Sequence, residues 1–414
     1  DALLHRIPQD WDITTSASPE QVKALFRRTI DTGIQHGTVT IMLGNDGYEV
    51  TTYRIDGEYE DARHPKQVVY TTDLAEDLRR RDFTINAMAY NPKTGLVDLF
   101  GGAEDLKNKI VRCVGSPHER FTEDALRILR AIRFSAQLGF EIEAGTDAAI
   151  KELAPTLTKI SRERVQAEVT KLLVSDHPQY FRKVYEAGIT KQFYPEFDVM
   201  MEMEGNSVSY DYNIGEHSLA MLGLVGGTPV LRWTTLLHDC GKPFCPRVET
   251  EGAVHYVGHA EESAVRAKRI LKELKFDTDT LAQVTKLITW HTEKFADGKP
   301  SIRRCLNHIG PDLFRLFLEL ATADVMTKRF AIQDDDLFHY MEVKRLFLSI
   351  LADGDCYRMD QLAVNGADLK AAGVNPGPAM GHILKAMLED VMIVPERNKK
   401  DYLLGHLAEY QKIG

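Results

Sequence analysis

The hydrophobic pattern of this chain changes its period once. Residues 1–100 contain short β-rich runs, two of which, GTVTIML and GYEVTTYRI, are joined by GNDG, a sequence typical of a hairpin turn. From about residue 102 to the C-terminus, the apolar residues recur with helical spacing. The pattern therefore predicts an α+β chain with a small α/β head and a long all-helical body.

Composition narrows the classes of function. The chain has 414 residues, enough for several domains, and no apolar run is long enough to span a bilayer. A net charge of -10 argues against indiscriminate nucleic-acid binding, although a local basic groove is compatible with it. Five cysteines without a CxxC pair indicate a reducing, cytoplasmic setting.

The first chemical motif is QDWDITT, near the start of the chain. Side chains two residues apart on a strand point the same way, so Asp10 and Asp12 are expected side by side. Adjacent carboxylates repel each other unless a cation neutralises them, and Mg²⁺ prefers oxygen ligands. Glu49, in the hairpin strand YEVTTYR, supplies a third carboxylate, as in two-metal nucleotidyl transfer. The alternative to metal binding is that Asp10 and Asp12 belong to a solvated strand end. For Glu49 alone, the alternative is an exposed strand glutamate.

Two arginine-rich segments lie further along the chain. LRRRDFTINA places three arginines beside Asp82, and arginine binds phosphate through a planar set of donors. In FTEDALRILRAIRF, Thr122 is expected to cap a helix on which Asp124, Arg127 and Arg130 recur at three-residue spacing. The alternatives are a solvated charge run and an amphipathic helix with ordinary salt bridges.

The helix motif could also read a nucleotide base. Aspartate only accepts hydrogen bonds and arginine only donates them, so Asp124 beside Arg127 suits a base edge with an amino donor next to a ring acceptor. Cytosine and adenine present that edge, whereas uracil and guanine present the reverse. One protein site would thus select C and A without a template, because a mismatched base leaves a charge unpaired.

The second half of the chain carries a candidate metal site. TTLLHDCGKP places His238 and Asp239 together, and an imidazole beside a carboxylate is a common metal-ligand pair. A lone histidine in a helical segment is more often a structural residue, but six donors recur here in the order H…HD…H…H…D. The other four are His217, His259, His291 and Asp324.

As a set, the motifs resemble the class II tRNA nucleotidyltransferases, the bacterial CCA-adding enzymes and their poly(A) polymerase relatives. DWDITT, YEVTTYR, RRDFTINA, EDALRILRAIRF and SRERVQAEVTKLL occur in the order of that family, and HDCGK resembles the HD family of metal-dependent phosphohydrolases. The resemblance implies a polymerase β-like head and an all-helical remainder. The implied domains are a head (1–100), a neck (101–173), an RNA-binding connector (174–212), an HD domain (213–330) and a tail (331–414).

Residue roles follow from the resemblance position by position. Asp10 and Asp12 would bind Mg²⁺, with Glu49 as the third catalytic carboxylate. A second divalent metal would lie in the HD domain, on the six donors named above. The residues implied in binding the triphosphate and the base, or in supporting the base-reading helix, are Arg81, Asn86, Asp124, Arg127, Arg130, Arg133 and Arg164.

The activity implied is template-independent addition of C, C and A to the tRNA 3′ end from CTP and ATP, with no membrane or DNA partner. An A-adding enzyme or a poly(A) polymerase shares these motifs and stays open. A phosphohydrolase acting on RNA ends through the HD domain is a second alternative. The intact carboxylates argue against a third, a non-catalytic RNA-binding protein.

Two segments refine this interpretation. DGEYEDARHP (Asp56–Pro65) resembles the loop that switches these enzymes from C to A addition, which favours CCA or A addition. The family also has a Gly-Gly…Val-Arg-Asp segment before DWD, and this sequence begins at what matches its last residue, Asp1. We therefore expect the first strand of the head to be missing from the sequence.

Overall fold

The chain consists of two compact units in a computed structural model. The model describes residues 1–8, 11–57, 68–203, 213–250, 253–328 and 330–413. The first unit comprises residues 1–198 with 273–275, and the second comprises 199–272 with 276–414. This division falls within the segment 174–212, where the sequence predicted a connector.

The first unit holds all but two of the strands in the described ranges. They are β1 (Ile13–Thr15), β2 (Thr29–Gly33), β3 (Thr38–Leu43), β4 (Asp46–Thr52), β5 (Arg54–Asp56), β6 (Val68–Tyr70), β7 (Met88–Asn91), β8 (Gly95–Asp98), β9 (Ile110–Val111) and β10 (Glu141–Ile142). The helices are α1 (Pro19–Leu25), α2 (Leu74–Arg79), α3 (Gly102–Asn108), α4 (Pro117–Glu123), α5 (Leu126–Leu138), α6 (Ala144–Leu153), α7 (Arg162–Leu173), α8 (Phe181–Glu186) and α9 (Pro195–Glu202), which runs into the second unit.

A four-stranded sheet forms the centre of the head. Its order is β1-β4-β3-β2, with β1 parallel to β4 and the other pairs antiparallel. The predicted hairpin is confirmed as β3–β4. Alternation places Val39, Ile41 and Val50 on the buried face, where they pack with Val22 of α1. Glu49, the neighbour of Val50, is exposed.

The neck differs from the sequence-based expectation at its central helix. The expected single helix is two, because α4 ends at Glu123, Asp124 is extended and α5 begins at Leu126. Thr122 is therefore not a cap. It lies inside α4, and its hydroxyl donates to the carbonyl of His118, a local bond that threonine forms readily inside helices. The Asp124 carboxylate instead accepts from the amide of Leu126, the first residue of α5, at 3.0 Å.

The second unit is almost entirely helical. Its elements are α10 (Ile214–Leu222), α11 (Pro229–Leu237), β11 (Arg247–Thr250), β12 (Ala253–Tyr256), α12 (His259–Glu273), α13 (Thr278–Trp290), α14 (Lys299–Met326), α15 (Phe330–Asp353), α16 (Gly366–Ala371), α17 (Pro378–Ile393), α18 (Lys400–Gly405) and α19 (Leu407–Ile413). The helical prediction for this half is confirmed.

Aromatic side chains fill the core of this unit. Phe295, Phe314 and Phe317 contact one another with ring centroids 5.3–5.6 Å apart. Helix α14 is kinked where Gly310 adopts a left-handed φ of 78° before Pro311, which cannot continue the hydrogen-bond ladder. None of the five cysteines forms a disulfide, and no helix in the described ranges has the length and apolarity needed to cross a membrane.

Candidate functional site

The carboxylates of the head lie at the edge of its sheet. Ile13 of β1 is the parallel partner of Val50 in β4, so Asp12 and Glu49 precede this pair on adjacent strands. Both side chains are exposed, as ligands for an exchangeable cation must be. Asp10 lies outside the described residues. The loop Asp56–Pro65 lies largely outside them as well.

A cavity of about 440 Å³ opens beside Asp12. A smaller one of about 180 Å³ shares Asp12, Arg80 and Arg81 with it. Residues from four separate segments of the first unit line the larger cavity: Asp12, Arg80, Arg81, Asp82, Asn86, Asp124, Leu126, Arg127, Arg130, Phe134 and Arg164. The cavity therefore brings together seven of the ten predicted head and neck residues, all but Asp10, Glu49 and Arg133.

The arginine run of the RRRDFTINA segment has a fixed anchor that the sequence analysis missed. Asp77 of α2 is fully buried and pairs with Arg80 at 2.7 Å and with Arg81 at 3.4 Å. Its spacing of three and four residues from the arginines was the available signal. The Nε atom of Arg81 is buried and lacks a hydrogen-bond partner within the described ranges.

The candidate base-reading pair is held by two further charges. Arg164 of α7 bonds Asp124 at 2.8 Å, so the predicted supporting residue contacts the carboxylate directly. Arg127 pairs with Glu123 at 2.6 Å and donates to the carbonyl of Arg80. Each group thus has a fixed position, because charge-assisted bonds with two partners restrict its rotamers.

The remaining arginines of α5 bind carboxylates far away in sequence. Arg130 bonds the nearly buried Asp82 at 2.7 Å. Burial alone would raise the pKa of Asp82, but Arg130 outweighs it and lowers the pKa below the ordinary value. Arg133 is buried and pairs with Glu168 of α7 at 2.7 Å, away from the cavity lining. Arg133 therefore fastens α5 to α7 in this structure.

The second unit gathers the six predicted donors into one cluster. His217 lies in α10, His238 and Asp239 follow α11, and His259 begins α12. His291 follows α13, and Asp324 lies in the second half of α14. Five helices thus contribute donors, and those donors form two adjacent groups that could each hold a metal ion: His217, His238 and Asp324, and then Asp239, His259 and His291.

Three histidines of the cluster are oriented by the same local bond. The Nδ1 atoms of His238, His259 and His291 lie 2.6–2.8 Å from backbone carbonyl oxygens three residues earlier. A carbonyl only accepts, so Nδ1 carries the proton and Nε2 presents a lone pair. This is the arrangement in which a second group fixes the tautomer of a metal-binding histidine.

His217 is oriented by a side chain instead. Its Nδ1 lies 3.0 Å from the hydroxyl of Thr327, whose single proton is donated to the carbonyl of Asp324 at 2.7 Å. The hydroxyl must therefore accept from His217. The sequence analysis missed Thr327, because nothing in the sequence links it to a histidine 110 residues away.

Burial and neighbouring charge set the protonation of the cluster. Burial lowers the pKa of His217, and it lowers that of His259 to about 4. Burial would raise the pKa of Asp239, but His238 and Lys242 hold it well below its usual range. Burial likewise opposes protonation of His238, yet Asp239 raises its pKa. The cluster therefore favours a positive charge at its centre, which a proton or a metal can supply.

Three family models match segments of the chain. They describe the poly(A) polymerase head domain (residues 1–112), an RNA and SrmB-binding site of polymerase A (139–201) and tRNA nucleotidyltransferase domain 2 (253–407). The head model begins at the first residue and covers the sheet that carries Asp12 and Glu49. The match to the third model includes three of the six clustered donors, His259, His291 and Asp324.

Similar proteins extend over the whole chain. The CCA-adding enzyme of Lactiplantibacillus plantarum is 34% identical over 411 residues, which is 98% of this chain and 88% of that protein. The enzyme of Leuconostoc mesenteroides is 53% identical over 174 residues, 42% of this chain and 43% of that protein. The crystal structure of the Bacillus stearothermophilus CCA-adding enzyme with CTP has a TM-score of 0.73 and 28% identity, and the match covers 100% of this chain and 91% of that one. Because the similarity to the Lactiplantibacillus plantarum enzyme spans nearly the full length of both chains, this chain belongs to the CCA-adding tRNA nucleotidyltransferase family.

Proposed function

We propose that this protein adds C, C and A to the 3′ end of tRNA from CTP and ATP, without a template. The 3′ hydroxyl of the tRNA attacks the α-phosphate of the nucleotide, and pyrophosphate leaves. The observation that carries the proposal is the cavity in which Asp12, the Arg80–Arg81 segment and the Asp124–Arg127 pair meet. Family membership supports the same activity.

The head residues fit a divalent cation. Asp12 and Glu49 are exposed carboxylates at the same level of adjacent strands, a set of hard oxygen donors that suits Mg²⁺. Bound Mg²⁺ would lower the pKa of the attacking hydroxyl and offset the charge of the triphosphate. We assign Asp10, outside the described residues, to the same ligand set. Arg81 holds the triphosphate, because it is a guanidinium that lines the cavity beside Asp12.

Asp124 and Arg127 select the base. Asp124 accepts from the amino group of cytosine or adenine, and Arg127 donates to the neighbouring ring nitrogen. Arg164 and Glu123 fix these two groups before the nucleotide arrives, so a uracil or guanine meets donors and acceptors in the wrong order. Arg130 and Asn86 line the same cavity and are both bonded to Asp82, which keeps its floor in place.

The test is incorporation at single-nucleotide resolution. A tRNA transcript that ends at the discriminator base is incubated with Mg²⁺ and CTP, ATP, or both. Two additions with CTP alone and three with both nucleotides support CCA addition. Addition of A only, and only to tRNA that already ends in CC, would instead identify an A-adding enzyme. Long A tails would identify a poly(A) polymerase.

We also propose a second activity, the hydrolysis of phosphate esters at RNA ends by the histidine–aspartate cluster. Six donors converge there, and the ammonium groups of Lys242 and Lys328 lie 2.6 Å and 3.7 Å from Asp239 and Asp324. Carboxylates and imidazoles suit a divalent metal, and the two lysines suit an anionic substrate.

Phosphate release from RNA that ends in a 2′,3′-cyclic phosphate tests this second activity. We expect His238→Ala to abolish release and Asp12→Asn to preserve it. Release that depends on Asp12 instead would assign the reaction to the head and contradict the proposal. If no hydrolysis occurs with any divalent metal, the cluster has no such activity.

A further inference from the structure

One buried carboxylate of the first unit contacts three arginine residues. Asp77 lies in α2, and its side chain is fully buried. Its Oδ1 atom accepts from the guanidinium of Arg80 at 2.7 Å and from the backbone amide of Arg54 at 3.3 Å. Its Oδ2 atom accepts from the guanidinium of Arg81 at 3.4 Å. Asp77 itself is absent from the described lining of both cavities beside Asp12.

The same three arginines line the smaller of those cavities. Arg54, Arg80 and Arg81 contribute to its wall together with Asp12. Arg54 begins β5, whereas the other two arginines directly follow α2, so two separate segments of the chain meet at Asp77. A guanidinium presents several donors in one plane and suits phosphate oxygens. The cavity therefore suits an anion with several phosphate groups, beside a carboxylate that we propose binds Mg²⁺.

Charge explains why a carboxylate behind the cavity wall matters. The guanidinium groups of Arg80 and Arg81 are adjacent, and their side chains are only 15% and 27% exposed. Like charges repel more strongly where solvent is partly excluded. Asp77 bonds both groups and offsets one of their two positive charges, which restricts their rotamers without neutralising both. Removal of this carboxylate would leave two mutually repelling side chains free to turn away from each other.

We propose that Asp77 is a positioning residue for nucleotidyl transfer. It holds Arg80 and Arg81 in place for the triphosphate of the incoming nucleotide and does not touch the substrate. The proposal rests on the nucleotidyl transfer proposed for the head, and it assigns a role to a residue outside the cavity lining. Asp77 acts on phosphate binding through the two arginines that it anchors.

Base selection has other supports. The base-selecting Asp124 pairs with Arg164, and Arg127 pairs with Glu123 at 2.6 Å. Arg127 also bonds Arg80, but that bond ends on a backbone carbonyl and not on the side chain that Asp77 holds. Loss of the carboxylate should therefore weaken phosphate binding and leave base reading unchanged.

Steady-state kinetics of Asp77→Asn test the proposal. The substitution keeps the size of the side chain and removes its charge, so the two guanidinium groups lose their common ionic partner. We expect KM for CTP and for ATP to rise about 10-fold, with KM for tRNA unchanged. Inhibition by inorganic pyrophosphate should weaken by a similar factor, whereas inhibition by cytidine, which has no phosphate, should not change. A protein that was merely destabilised would lose active molecules and shift none of these constants.

Glu76→Gln is the matched control, because it makes the same change of charge one residue earlier. Glu76 pairs at 3.2 Å with Arg79, which is not among the described residues that line the cavities. KM for nucleotide and inhibition by pyrophosphate should keep their wild-type values. A double-mutant cycle adds a second test: Asp77→Asn should cost less in an Arg80→Ala background, because residues that act through one another are not additive.

The outcomes separate this proposal from the proposed function. Unchanged KM for CTP and unchanged pyrophosphate inhibition in folded Asp77→Asn would overturn it. If circular dichroism shows that Asp77→Asn is unfolded, Asp77→Glu retains the charge but displaces the arginines, and a wild-type KM in that variant would also overturn the proposal. If neither variant folds, Asp77 serves the fold alone and the proposal is rejected. If wild-type protein adds no nucleotide, the proposed function fails, and calorimetric titration with CTP and pyrophosphate still compares wild-type protein with the variant.

Discussion

The two candidate sites assemble charged side chains in opposite ways. In the cavity of the first unit, acids pair with arginines: Asp124 with Arg164 and Asp82 with Arg130. In the histidine–aspartate cluster, the lone pairs of His259 and His291 face each other near a carboxylate. The first arrangement is electrostatically complete within the protein chain, so the cavity keeps its shape without substrate. We propose that added positive charge completes the second.

The largest expected effect is the loss of nucleotidyl transfer in the head, with no change in the metal content of the histidine–aspartate cluster. Asp12→Asn removes a carboxylate that we propose binds Mg²⁺ and should reduce nucleotide addition by about 10³-fold, equivalent to about 4 kcal/mol of transition-state stabilisation. Initial rates of CTP addition to tRNA measure it. Asp46→Asn, an exposed acid on the same strand as Glu49, is the matched control. A simultaneous fall in the metal content of the cluster would show that the two sites are not independent.

Removal of one arginine tests whether the cavity depends on its internal pairs. Arg164→Ala leaves Asp124 free to change rotamer, and we expect kcat/KM for CTP to fall by about 10²-fold, with partial loss of discrimination against UTP. Lys171→Ala, an exposed cation on the same helix, should have no effect. Unchanged selectivity in Arg164→Ala would show that Asp124 needs no partner to read the base.

Metal removal tests whether the histidine–aspartate cluster of the second unit depends on a bound cation for its stability. If the cluster binds metal as proposed, the bound ion stabilises the folded state by about 2.7 kcal/mol at a free concentration of 100 Kd. EDTA should therefore lower the melting temperature of this unit by about 5 °C or more. Calorimetry on wild-type protein and on His238→Ala measures the shift, which the variant should lack. An equal shift in both proteins would mean that EDTA acts elsewhere.

A smaller effect is expected at Thr327, whose side chain orients His217. Thr327→Val removes the hydroxyl that accepts from His217 and should weaken metal binding by about 10-fold. Thr327→Ser retains the hydroxyl and should restore the affinity. Competition with a chromogenic chelator gives the affinities. If the valine and serine variants bind equally well, His217 is held by packing alone.

The smallest effect is expected for acid at the Asp82–Arg130 pair of the first unit. The pKa of Asp82 is lowered from 3.8 in the folded protein, so its pair with Arg130 contributes stability above pH 3.8 that is lost as the pH falls through the lower folded value. Urea midpoints at pH 6 and pH 3 should therefore differ more in the wild-type protein than in Asp82→Asn. Equal differences would show that the pair adds no stability.

Sequence and structure agree best where a motif names its own residues. The six donors of the cluster were named from their order along the chain, and the structure brings all of them together. The motifs likewise led to the cavity residues Arg81, Asp124 and Arg127. Their roles stay predictions. A motif of this kind carries the identity of the side chains, but not the direction in which each one points.

The misses have a common physical origin. Local propensity predicts Thr122 as a cap, yet the helix that contains it ends at Glu123, and Asp124 contacts Arg164, 40 residues away. Asp82 and Glu168, the partners of Arg130 and Arg133, are also far from them in sequence. Periodicity reports contacts within one helix and is silent about pairs that form only when helices pack.

The bonds that orient the histidines determine which substitutions this centre tolerates during evolution. Three of them end on backbone carbonyls at positions 235, 256 and 288, which any residue supplies. Substitutions there leave the tautomers unchanged, so a helical scaffold can acquire or lose the centre through its six donor side chains almost alone. Thr327 is the exception, because its hydroxyl is a side-chain group. Lineages that retain the six donors are therefore expected to retain a hydroxyl at this seventh position.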